Sequence, residues 1–295
     1  MREIVVLSGK GGAGKTSVTA AFAALAENKV VCDLDVDAPD LHILLDPQNT
    51  AAEEFLSGNI AQVEESDCDG CGICRDVCRF EAVTFDARGK AAIDPRRCEG
   101  CKACVALCPR RTIAFPPRVC GYFARSDTRF GPLIHARLDP GGENSGRLVA
   151  LLKRNAKALA EKEGRELILC DGAPGIACPV ISSLSGATLA VLVTEPTPSG
   201  THDLLRVAEL CDHFRLPMGV IINKADINPE EAARIEAACA EKGRTVLGRL
   251  PYSPDVTLAM KAGKTLPEYG GPLADDIARL WEAANALASA CAKAK

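Results

Sequence analysis

A short aliphatic run at residues 4–7 leads directly into a glycine-rich segment at residues 9–16, and a helical pattern follows. The aliphatic run predicts a buried strand, and the pattern after it predicts a helix over 16–27. The segment between them fits G-x-x-x-x-G-K-[ST], in which backbone N–H groups and a helix N-terminus point at phosphate oxygens. This order of strand, loop and helix predicts a phosphate-binding loop, and it constrains the fold more than any other feature.

The same glycines also satisfy G-x-G-x-x-G, and Asp33 and Asp35 lie about 20 residues on, where a dinucleotide fold keeps its ribose-binding acid. Lys15 and Thr16 favour the phosphate loop, because the dinucleotide fingerprint has no use for a lysine and a magnesium ligand there. We expect Lys15 to reach the β- and γ-phosphates of a nucleotide, and the Thr16 hydroxyl to bind Mg²⁺. The residues expected to line the phosphates are Gly9, Lys10, Gly11, Gly12, Ala13, Gly14, Lys15, Thr16 and Ser17.

Further short aliphatic runs alternate with helical patterns along the chain. Buried strands that are each followed by a helix indicate an α/β fold, with a mostly parallel sheet covered by helices on both faces. The predicted strands are 4–7, 30–33, 167–170, 189–193, 219–222 and a run around 245–250. The predicted helices are 16–27, 146–162, 202–213, 229–242 and 273–293.

Eight of the fifteen cysteines form two runs with the spacing C-x₂-C-x₂-C-x₃-C, thirty residues apart. The repeat extends past the cysteines, since residues 81–85 parallel residues 111–115. A two-fold internal copy predicts a small pseudo-symmetric α+β module at 61–117, with one metal site per half. This module interrupts the α/β domain, whose two parts are 1–60 and 118–295.

Thiolates are soft ligands that suit iron–sulfur clusters or zinc. Paired zinc sites would leave the C-x₃-C spacing unexplained, whereas both runs resemble the bacterial two-cluster ferredoxin pattern. In that pattern the fourth cysteine of each run binds the other cluster. The resemblance implies one 4Fe–4S cluster on Cys68, Cys71, Cys74 and Cys108, and a second on Cys98, Cys101, Cys104 and Cys78. The first run departs from the pattern by ending in Arg79 instead of proline.

The octapeptide GKGGAGKT resembles the deviant phosphate loop of the MinD/Mrp/ParA ATPases and of the nitrogenase iron protein. In those families the lysine that corresponds to Lys10 crosses a dimer interface to the partner's nucleotide. Residues 33–39 resemble the D-x-D switch of the Mrp group, which implies that Asp35 positions the attacking water. Residues 167–175 resemble the strand that ends in a magnesium-linked aspartate. The resemblance thus implies the catalytic residues Lys10, Lys15 and Asp35, and a Mg²⁺ site formed by Thr16, Asp33 and Asp171.

An N-K-x-D pattern follows another predicted strand, and we expect its Asn223 and Asp226 to contact the base of the nucleotide. Pro251 is expected to line the same pocket, with simple packing of 250–252 as the alternative. Such a pattern can read guanine. The deviant-loop families mostly use ATP, so the expected cofactors are ATP and Mg²⁺, with GTP as the alternative nucleotide.

Over nearly its full length the chain resembles MinD-superfamily P-loop ATPases with an inserted ferredoxin domain, often labelled cobyrinic acid a,c-diamide synthase-like. The resemblance implies a homodimer, or a heterodimer with a paralogous subunit. Its implied function is nucleotide-gated electron transfer between the two 4Fe–4S clusters and a redox partner protein. An iron–sulfur cluster carrier of the Mrp type is the alternative, and a MinD-like spatial organiser on membranes is a third.

Composition disfavours other classes. The 35 basic and 39 acidic residues give a net charge of −4, and aromatic residues are only 4%, so we expect no nucleic-acid partner. No run of about 20 apolar residues is present, so we expect a cytoplasmic protein without stable membrane insertion. A C-terminal stripe from Ile277 to Leu287 at helical spacing is expected to pack in the core. We expect packing also for Cys178, with contact to a metal across a dimer axis as the alternative.

Overall fold

The computed structural model describes residues 1–64 and 66–293. Glu65, in the predicted 61–117 module, and the last two residues of the predicted 118–295 segment lie outside the described residues. The chain divides into two compact units. The first comprises Met1–Glu53, Phe123–Arg137 and Asn144–Lys295, and the second comprises Glu54–Tyr122 and Leu138–Glu143.

The strands and helices follow one another along the whole chain. The strands are β1 Arg2–Ser8, β2 Lys29–Asp33, β3 Gln48–Asn59, β4 Gln62–Val63, β5 Val83–Phe85, β6 Ala91–Ile93, β7 Ile113–Ala114, β8 Pro117–Thr128, β9 Gly131–Leu138, β10 Leu167–Pro174, β11 Leu189–Thr194, β12 Met218–Ile222 and β13 Thr245–Arg249. The helices are α1 Lys15–Leu25, α2 Leu41–Leu45, α3 Ile73–Asp76, α4 Ala103–Leu107, α5 Ser145–Glu163, α6 Cys178–Leu184, α7 Pro198–His213, α8 Pro229–Glu241, α9 Asp255–Lys261, α10 Leu266–Tyr269 and α11 Pro272–Lys293.

The predicted α/β architecture is confirmed. The large sheet has the strand order β13-β12-β11-β1-β10-β2-β9-β8-β3, and its pairs from β13 to β9 are parallel. All six predicted strands are present in it. The strands β3, β8 and β9 were not predicted. Residues 48–54 of β3 are all exposed, β8 buries only scattered side chains, and the apolar side chains of β9 are largely buried but are interrupted by His135 and Arg137. Such strands lack the aliphatic runs that mark the sheet centre.

The start of one predicted helix is wrong. The pattern placed it at residue 202, but α7 begins at Pro198, where Thr197 accepts a hydrogen bond from the backbone N–H of Gly200 over 3.0 Å. The segment 197–200 has the composition of a loop. It nevertheless forms the first helical turn, because threonine is a good N-cap and proline fits the first position of a helix.

The central strands are buried on both faces. Ile4 and Val6 of β1 belong to a core cluster with α1 and α11. Their neighbours Val5 and Leu7 are also fully buried, and helices α6 and α7 contact β1 as well. Because successive side chains of a strand point to opposite faces, both faces of β1 are covered. This double cover explains why the strand is apolar without alternation.

Helix α11, which belongs to the first unit, buries its apolar stripe in the core of that unit, as predicted. Ile277, Leu280 and Ala284 are buried in the core cluster, and the Trp281 ring lies 5.2 Å from the Phe22 ring, centroid to centroid, at 54°. Among the described residues, no helix combines the length and the apolar character needed to cross a membrane.

The second unit carries its sequence repeat into its backbone. Helices α3 and α4 occupy equivalent places, as do strands β5 and β7. Backbone conformations with positive φ also recur at the thirty-residue spacing, in the pairs Gly70 and Gly100, Gly72 and Lys102, and Glu81 and Arg111. Strand β4 pairs antiparallel with β7, and β5 with β6. Two copies of one backbone path therefore make up this part of the unit.

We predict that Trp281→Ala lowers the free energy of unfolding by about 3–5 kcal/mol, because it leaves a cavity against Phe22. Trp281→Phe keeps a ring at this contact and should lose clearly less. Urea unfolding followed by circular dichroism tests this, since Trp281 is the only tryptophan. Glu282→Ala, on the exposed face of the same helix, is the control and should change stability by no more than about 0.5 kcal/mol. An unchanged Trp281→Ala protein would contradict the packing argument.

Candidate functional site

Two glycines of the predicted phosphate loop are fixed by close neighbours. A Cβ atom on Gly9 would lie 2.4 Å from Cβ of Asp203, and one on Gly14 would lie 2.3 Å from Nδ2 of Asn223. Gly14 also has a φ of 96°, a conformation that side chains disfavour. It directly precedes α1, so the loop turns sharply into the helix N-terminus. The unpaired N–H groups of that first turn are the groups that bind phosphate in such loops.

Lys15, the first residue of α1, is buried beside two carboxylates. Its Nζ lies 3.0 Å from Oδ1 of Asp171 and 3.4 Å from Oδ2 of Asp35. Asp171 is fully buried in β10 and also accepts hydrogen bonds from the hydroxyls of Thr16, over 2.9 Å, and Thr19, over 2.8 Å. A buried carboxylate requires such partners. The structure therefore brings together Lys15, Thr16, Asp35 and Asp171.

The strand register adds Asp33 to this group. Asp33 of β2 pairs with Asp171 of β10 across parallel strands, so both carboxyl groups leave the sheet at the same edge. Asp33 Oδ1 accepts the backbone N–H of Asp35 over 3.1 Å, whereas Asp33 Oδ2 is buried without a hydrogen-bond partner. An unpaired buried carboxylate oxygen is costly. It marks a place where a cation or its bound water would be stabilised.

The crowding of charge shifts several pKa values. Burial would lower the pKa of Lys15, but attraction to Asp171, Asp35 and Asp33 raises it above its ordinary value. Burial, with repulsion from Asp171, raises the pKa of Asp33 well above its usual range. Burial also raises the pKa of Asp35, against the attraction of Lys15. The site thus has a surplus of negative groups, which favours a bound cation.

A cavity of about 500 Å³ opens beside Lys15, Thr16 and Asp35. The residues that line it include Gly11, Gly12, Gly14, Lys15, Thr16, Ser17, Asp35 and Pro174. Within residues 1–64 and 66–293, no three histidine, cysteine or acidic side chains form a ready-made site for one metal ion. Mg²⁺ usually takes only one or two protein carboxylates and completes its shell with water and phosphate. The donors Thr16, Asp33 and Asp171 fit that requirement.

A second cavity, of about 240 Å³, shares Gly12, Gly14 and Ser17 with the first. Its other lining residues are mostly apolar, and they include Asn223, Pro251 and Tyr252. The Asn223 side chain donates from Nδ2 to the carbonyl of Ala13 over 2.9 Å. An apolar pocket that adjoins the phosphate loop is suited to a planar base.

Asp226 is placed differently from Asn223. It is exposed, and its Oδ1 accepts a hydrogen bond of 2.6 Å from the backbone N–H of Tyr252. Its carboxylate thereby holds the segment that carries Pro251 and Tyr252. Contact between Asp226 and a base stays a prediction.

Lys10 turns toward its own chain. Its Nζ lies 2.6 Å from Oε1 of Glu195 and 3.2 Å from Oγ of Ser199. The other oxygen of Glu195 pairs with Nζ of Lys224 over 3.1 Å, and Lys224 also donates to the carbonyl of Gly12. Burial would raise the pKa of Glu195, but the hydrogen bonds from both lysines lower it. One carboxylate therefore bridges two lysines beside the phosphate loop.

Sequence reasoning missed three residues of this region, namely Thr19, Glu195 and Lys224. Each had a signal. Thr19 lies one helical turn after Lys15, on the same face of α1. Glu195 directly follows strand β11, at the sheet edge where sites of this fold lie. Lys224 is the lysine of the N-K-x-D pattern, but no role was assigned to it. Its backbone has a φ of 55°, which turns the chain there.

The cysteine runs surround two separate small cavities in the second unit. One is lined by Cys68, Cys71, Cys74 and Cys108, and the other by Cys78, Cys98, Cys101 and Cys104. Each cavity thus collects three cysteines of one run and the fourth cysteine of the other run. Within the described residues, all fifteen cysteines are free thiols. The core of this unit is small, and cysteines contribute much of it.

The sulfur environments of the two cavities are similar but not identical. Burial raises the pKa of both Cys74 and Cys104, which are equivalent in the repeat. Cys108 differs. Burial would raise its pKa, but hydrogen bonds from the backbone and hydroxyl of Thr112 lower it, and the Thr112 oxygen lies 3.6 Å from Sγ.

Cys178 does not follow the expectation of packing. It is exposed at the first residue of α6, four residues after the end of β10, the strand that carries Asp171. The helix begins there because Pro179 fits an N-terminal position. Packing within the chain therefore does not account for this thiol.

Comparison with known proteins agrees with the nucleotide-binding geometry around Lys15. Residues 4–266 match the family model described as the CobQ/CobB/MinD/ParA nucleotide binding domain. The chain is 36% identical over 229 residues to an uncharacterized protein, MJ0578, of Methanocaldococcus jannaschii, which covers 77% of this chain and 79% of that protein. It is also 30% identical over 149 residues to a cytosolic Fe-S cluster assembly factor Nubp1 homolog of Drosophila grimshawi, covering 43% of this chain and 45% of that one.

Among solved structures, the septum site-determining protein MinD of Pyrococcus horikoshii, complexed with Mg-ADP, has a similar fold. The TM-score is 0.58 at 18% identity, and the match covers 99% of each chain. At this identity the likeness concerns the fold alone. The family match covers most of the sequence, and it includes the phosphate loop, the strands that carry the acids, and Asn223 and Pro251 of the base-side cavity. The chain therefore belongs to the family of CobQ/CobB/MinD/ParA nucleotide-binding domains.

Proposed function

We propose that this protein is an ATP-hydrolysing dimer that uses its nucleotide state to gate electron transfer from two 4Fe–4S clusters to a partner protein. The observation that carries the proposal is the lining of the two cysteine cavities. Each cavity combines four cysteines in the set that the ferredoxin-like spacing predicts. The same chain carries a phosphate loop with a nucleotide-sized cavity.

The nucleotide part of the proposal rests on the groups around Lys15. Lys15 and the loop N–H groups would bind the β- and γ-phosphates of ATP. Thr16, Asp171 and Asp33 would hold Mg²⁺, directly or through water, and the cation would neutralise charge that develops on the transferred phosphoryl group. Asp35, beside Lys15 at the cavity wall, would orient the attacking water. The apolar cavity at Asn223 and Pro251 would take the adenine base, with guanine as the alternative.

The cluster part rests on the donor set and the space between the donors. Four thiolates around one zinc ion, each about 2.3 Å from the metal, must converge closely. Among the described residues, no three histidine, cysteine or acidic side chains are arranged to hold one metal ion, so the cluster proposal rests on the cysteine spacing and on the lining of the two cavities. A 4Fe–4S cluster is larger, and it needs four thiolates spread around a cavity. This spacing and these linings support a ferredoxin-like module at 61–117, and each cluster, when bound, would supply one-electron transfer.

The gating part rests on Lys10. In the single chain, its ammonium group pairs with Glu195. If Lys10 crosses to the nucleotide of a partner subunit, it must leave Glu195, and Lys224 would stay as the cationic partner of that carboxylate. Closure of the dimer would then depend on the γ-phosphate that Lys10 reaches. Nucleotide state would in this way control when electrons are delivered.

We predict that Asp35→Asn lowers kcat for ATP hydrolysis by about 10²- to 10⁴-fold, because the amide cannot activate water as a carboxylate does. ATP binding should persist, since Lys15 and the loop N–H groups that would bind the phosphates are unchanged. Phosphate release and nucleotide-binding assays measure the two properties separately. Asp275→Asn, an equal change of charge in the first turn of α11, is the control. Full hydrolysis by Asp35→Asn would remove Asp35 from the proposed mechanism.

A second prediction addresses gating. Anaerobically purified protein should contain iron and sulfide, and its cluster potentials in an EPR-monitored redox titration should shift when Mg·ATP is added. Lys10→Ala should keep its iron but lose the ATP-dependent shift. Lys242→Ala, which removes an exposed lysine at the end of α8, should keep the shift. Potentials that are indifferent to Mg·ATP in the unmodified protein would refute gating, and zinc in place of iron would refute the clusters.

A cluster carrier is the second candidate, and the similarity to the Nubp1 homolog favours it, since that protein is described as an Fe-S cluster assembly factor. A carrier must release its clusters. Four cysteines around each cavity favour retention instead, because every ligand would have to dissociate before a cluster could leave.

Iron retention separates the two functions. We predict that protein labelled with ⁵⁷Fe keeps its iron through many ATP turnovers in the presence of an apo-ferredoxin acceptor. Mass spectrometry of the re-isolated proteins measures the distribution of the label. Label that moves to the acceptor only when ATP is hydrolysed would establish the carrier and contradict electron gating by permanent clusters.

A further inference from the structure

The internal repeat makes the two cysteine cavities comparable position by position. Thr112 lines the first cavity, four residues after Cys108. Thirty residues earlier, Ala82 lines the second cavity, four residues after Cys78. Both residues are buried. The two halves thus place a hydroxyl in one cavity where the other has a methyl group.

The hydroxyl of Thr112 contacts a predicted cluster ligand. Its Oγ1 lies 3.6 Å from Sγ of Cys108. When Cys108 binds a metal it does so as a thiolate, which has no proton to give, so the threonine hydroxyl must be the donor. Thr112 as a whole residue is only 9% exposed, so water competes little for this bond. The methyl group of Ala82 can make no such bond to Cys78.

Charged side chains also lie near both cavities. Asp69 lines the first cavity and Glu99, its repeat equivalent, lines the second. Arg75 stacks on the Phe85 ring at 5.0 Å in the first half, and Lys102 stacks on the Phe115 ring at 5.8 Å in the second. The two acids are therefore matched between the halves, but Lys102 also lines the second cavity directly.

One further cation acts in the same direction as the hydroxyl. Lys90 is partly buried, and its ammonium group donates to the backbone carbonyl of Cys68, a residue of the first cavity. A positive charge and a hydrogen bond to sulfur both stabilise the added negative charge of a reduced cluster. Lys90 in the first half thus has a counterpart in Lys102 of the second, and the Thr112 hydroxyl is the difference that remains between these positions.

We propose that Thr112 is a redox-tuning residue, which makes the cluster on Cys68, Cys71, Cys74 and Cys108 the better electron acceptor of the two. The proposal rests on the proposed function, since it requires both clusters. A low-potential one-electron donor would lose one electron, and the pair would gain it with no bond made or broken in the protein. That electron would reside in the first half, and the second cluster would be reduced only by a stronger donor.

The test is an anaerobic redox titration with dithionite, followed by EPR, on protein whose iron and sulfide have been measured. The unmodified protein should show two separate one-electron steps. Thr112→Val removes the hydroxyl at nearly constant shape and should move the higher-potential step to a more negative value. Thr112→Ser keeps a hydroxyl and should restore most of the separation. Ala82→Ser adds a hydroxyl to the second half and should move the lower-potential step to a less negative value.

The outcomes are distinguishable. Protein without iron and sulfide would refute the proposed clusters themselves. If both clusters are present but the higher-potential step is the same in Thr112→Val as in the unmodified protein, the tuning role alone is refuted. If Thr112→Val moves the lower-potential step instead, Thr112 acts on the other cluster and the proposal is wrong. Equal thermal unfolding midpoints for the Val and Ser variants, with different potentials, would exclude a structural origin of the shift.

Discussion

The nucleotide site depends on one buried ion pair. Asp171 is fully enclosed at the end of β10, where a lone carboxylate would be expensive, and Lys15 together with two threonine hydroxyls compensates it. Lys15 can reach Asp171 only because the loop between β1 and α1 turns at Gly14. The strand register then fixes Asp33 beside Asp171. Loop, helix start and two strand ends are thereby held by a single set of charges.

The same ion pair shows what a nucleotide would change. Lys15 serves in the single chain as the counter-ion of Asp171 and Asp35. Phosphate oxygens would draw Lys15 toward themselves, and Mg²⁺ would take over the neutralisation of the acids. The raised pKa of Asp33 and its unpaired oxygen are what such an exchange would relieve. The site is therefore shaped for an anion and a cation together.

The sequence predicted the parts of the fold that are buried on both sides. All six aliphatic strands and the five long helices are present, because burial on two faces leaves an unbroken apolar run that periodicity detects. It did not predict β3 and β8, which bury few side chains, or β9, whose buried apolar side chains are interrupted by His135 and Arg137. In the site, loop residues were predictable from spacing, whereas Glu195 and Thr19 owe their positions to the sheet edge and the helix face. The roles of Asp35, Asp226 and Lys10 stay predictions until they are measured.

Gly14 and Asn223 tie the two cavities to each other. The Asn223 amide donates to the Ala13 carbonyl, and it fills the space where a side chain on Gly14 would stand. A shift of the strand end that bears Asn223 would therefore be transmitted to the first turn of α1 through one amide. The base-side cavity and the phosphate cavity are consequently coupled mechanically. A ligand that binds in either cavity would move residues that line the other.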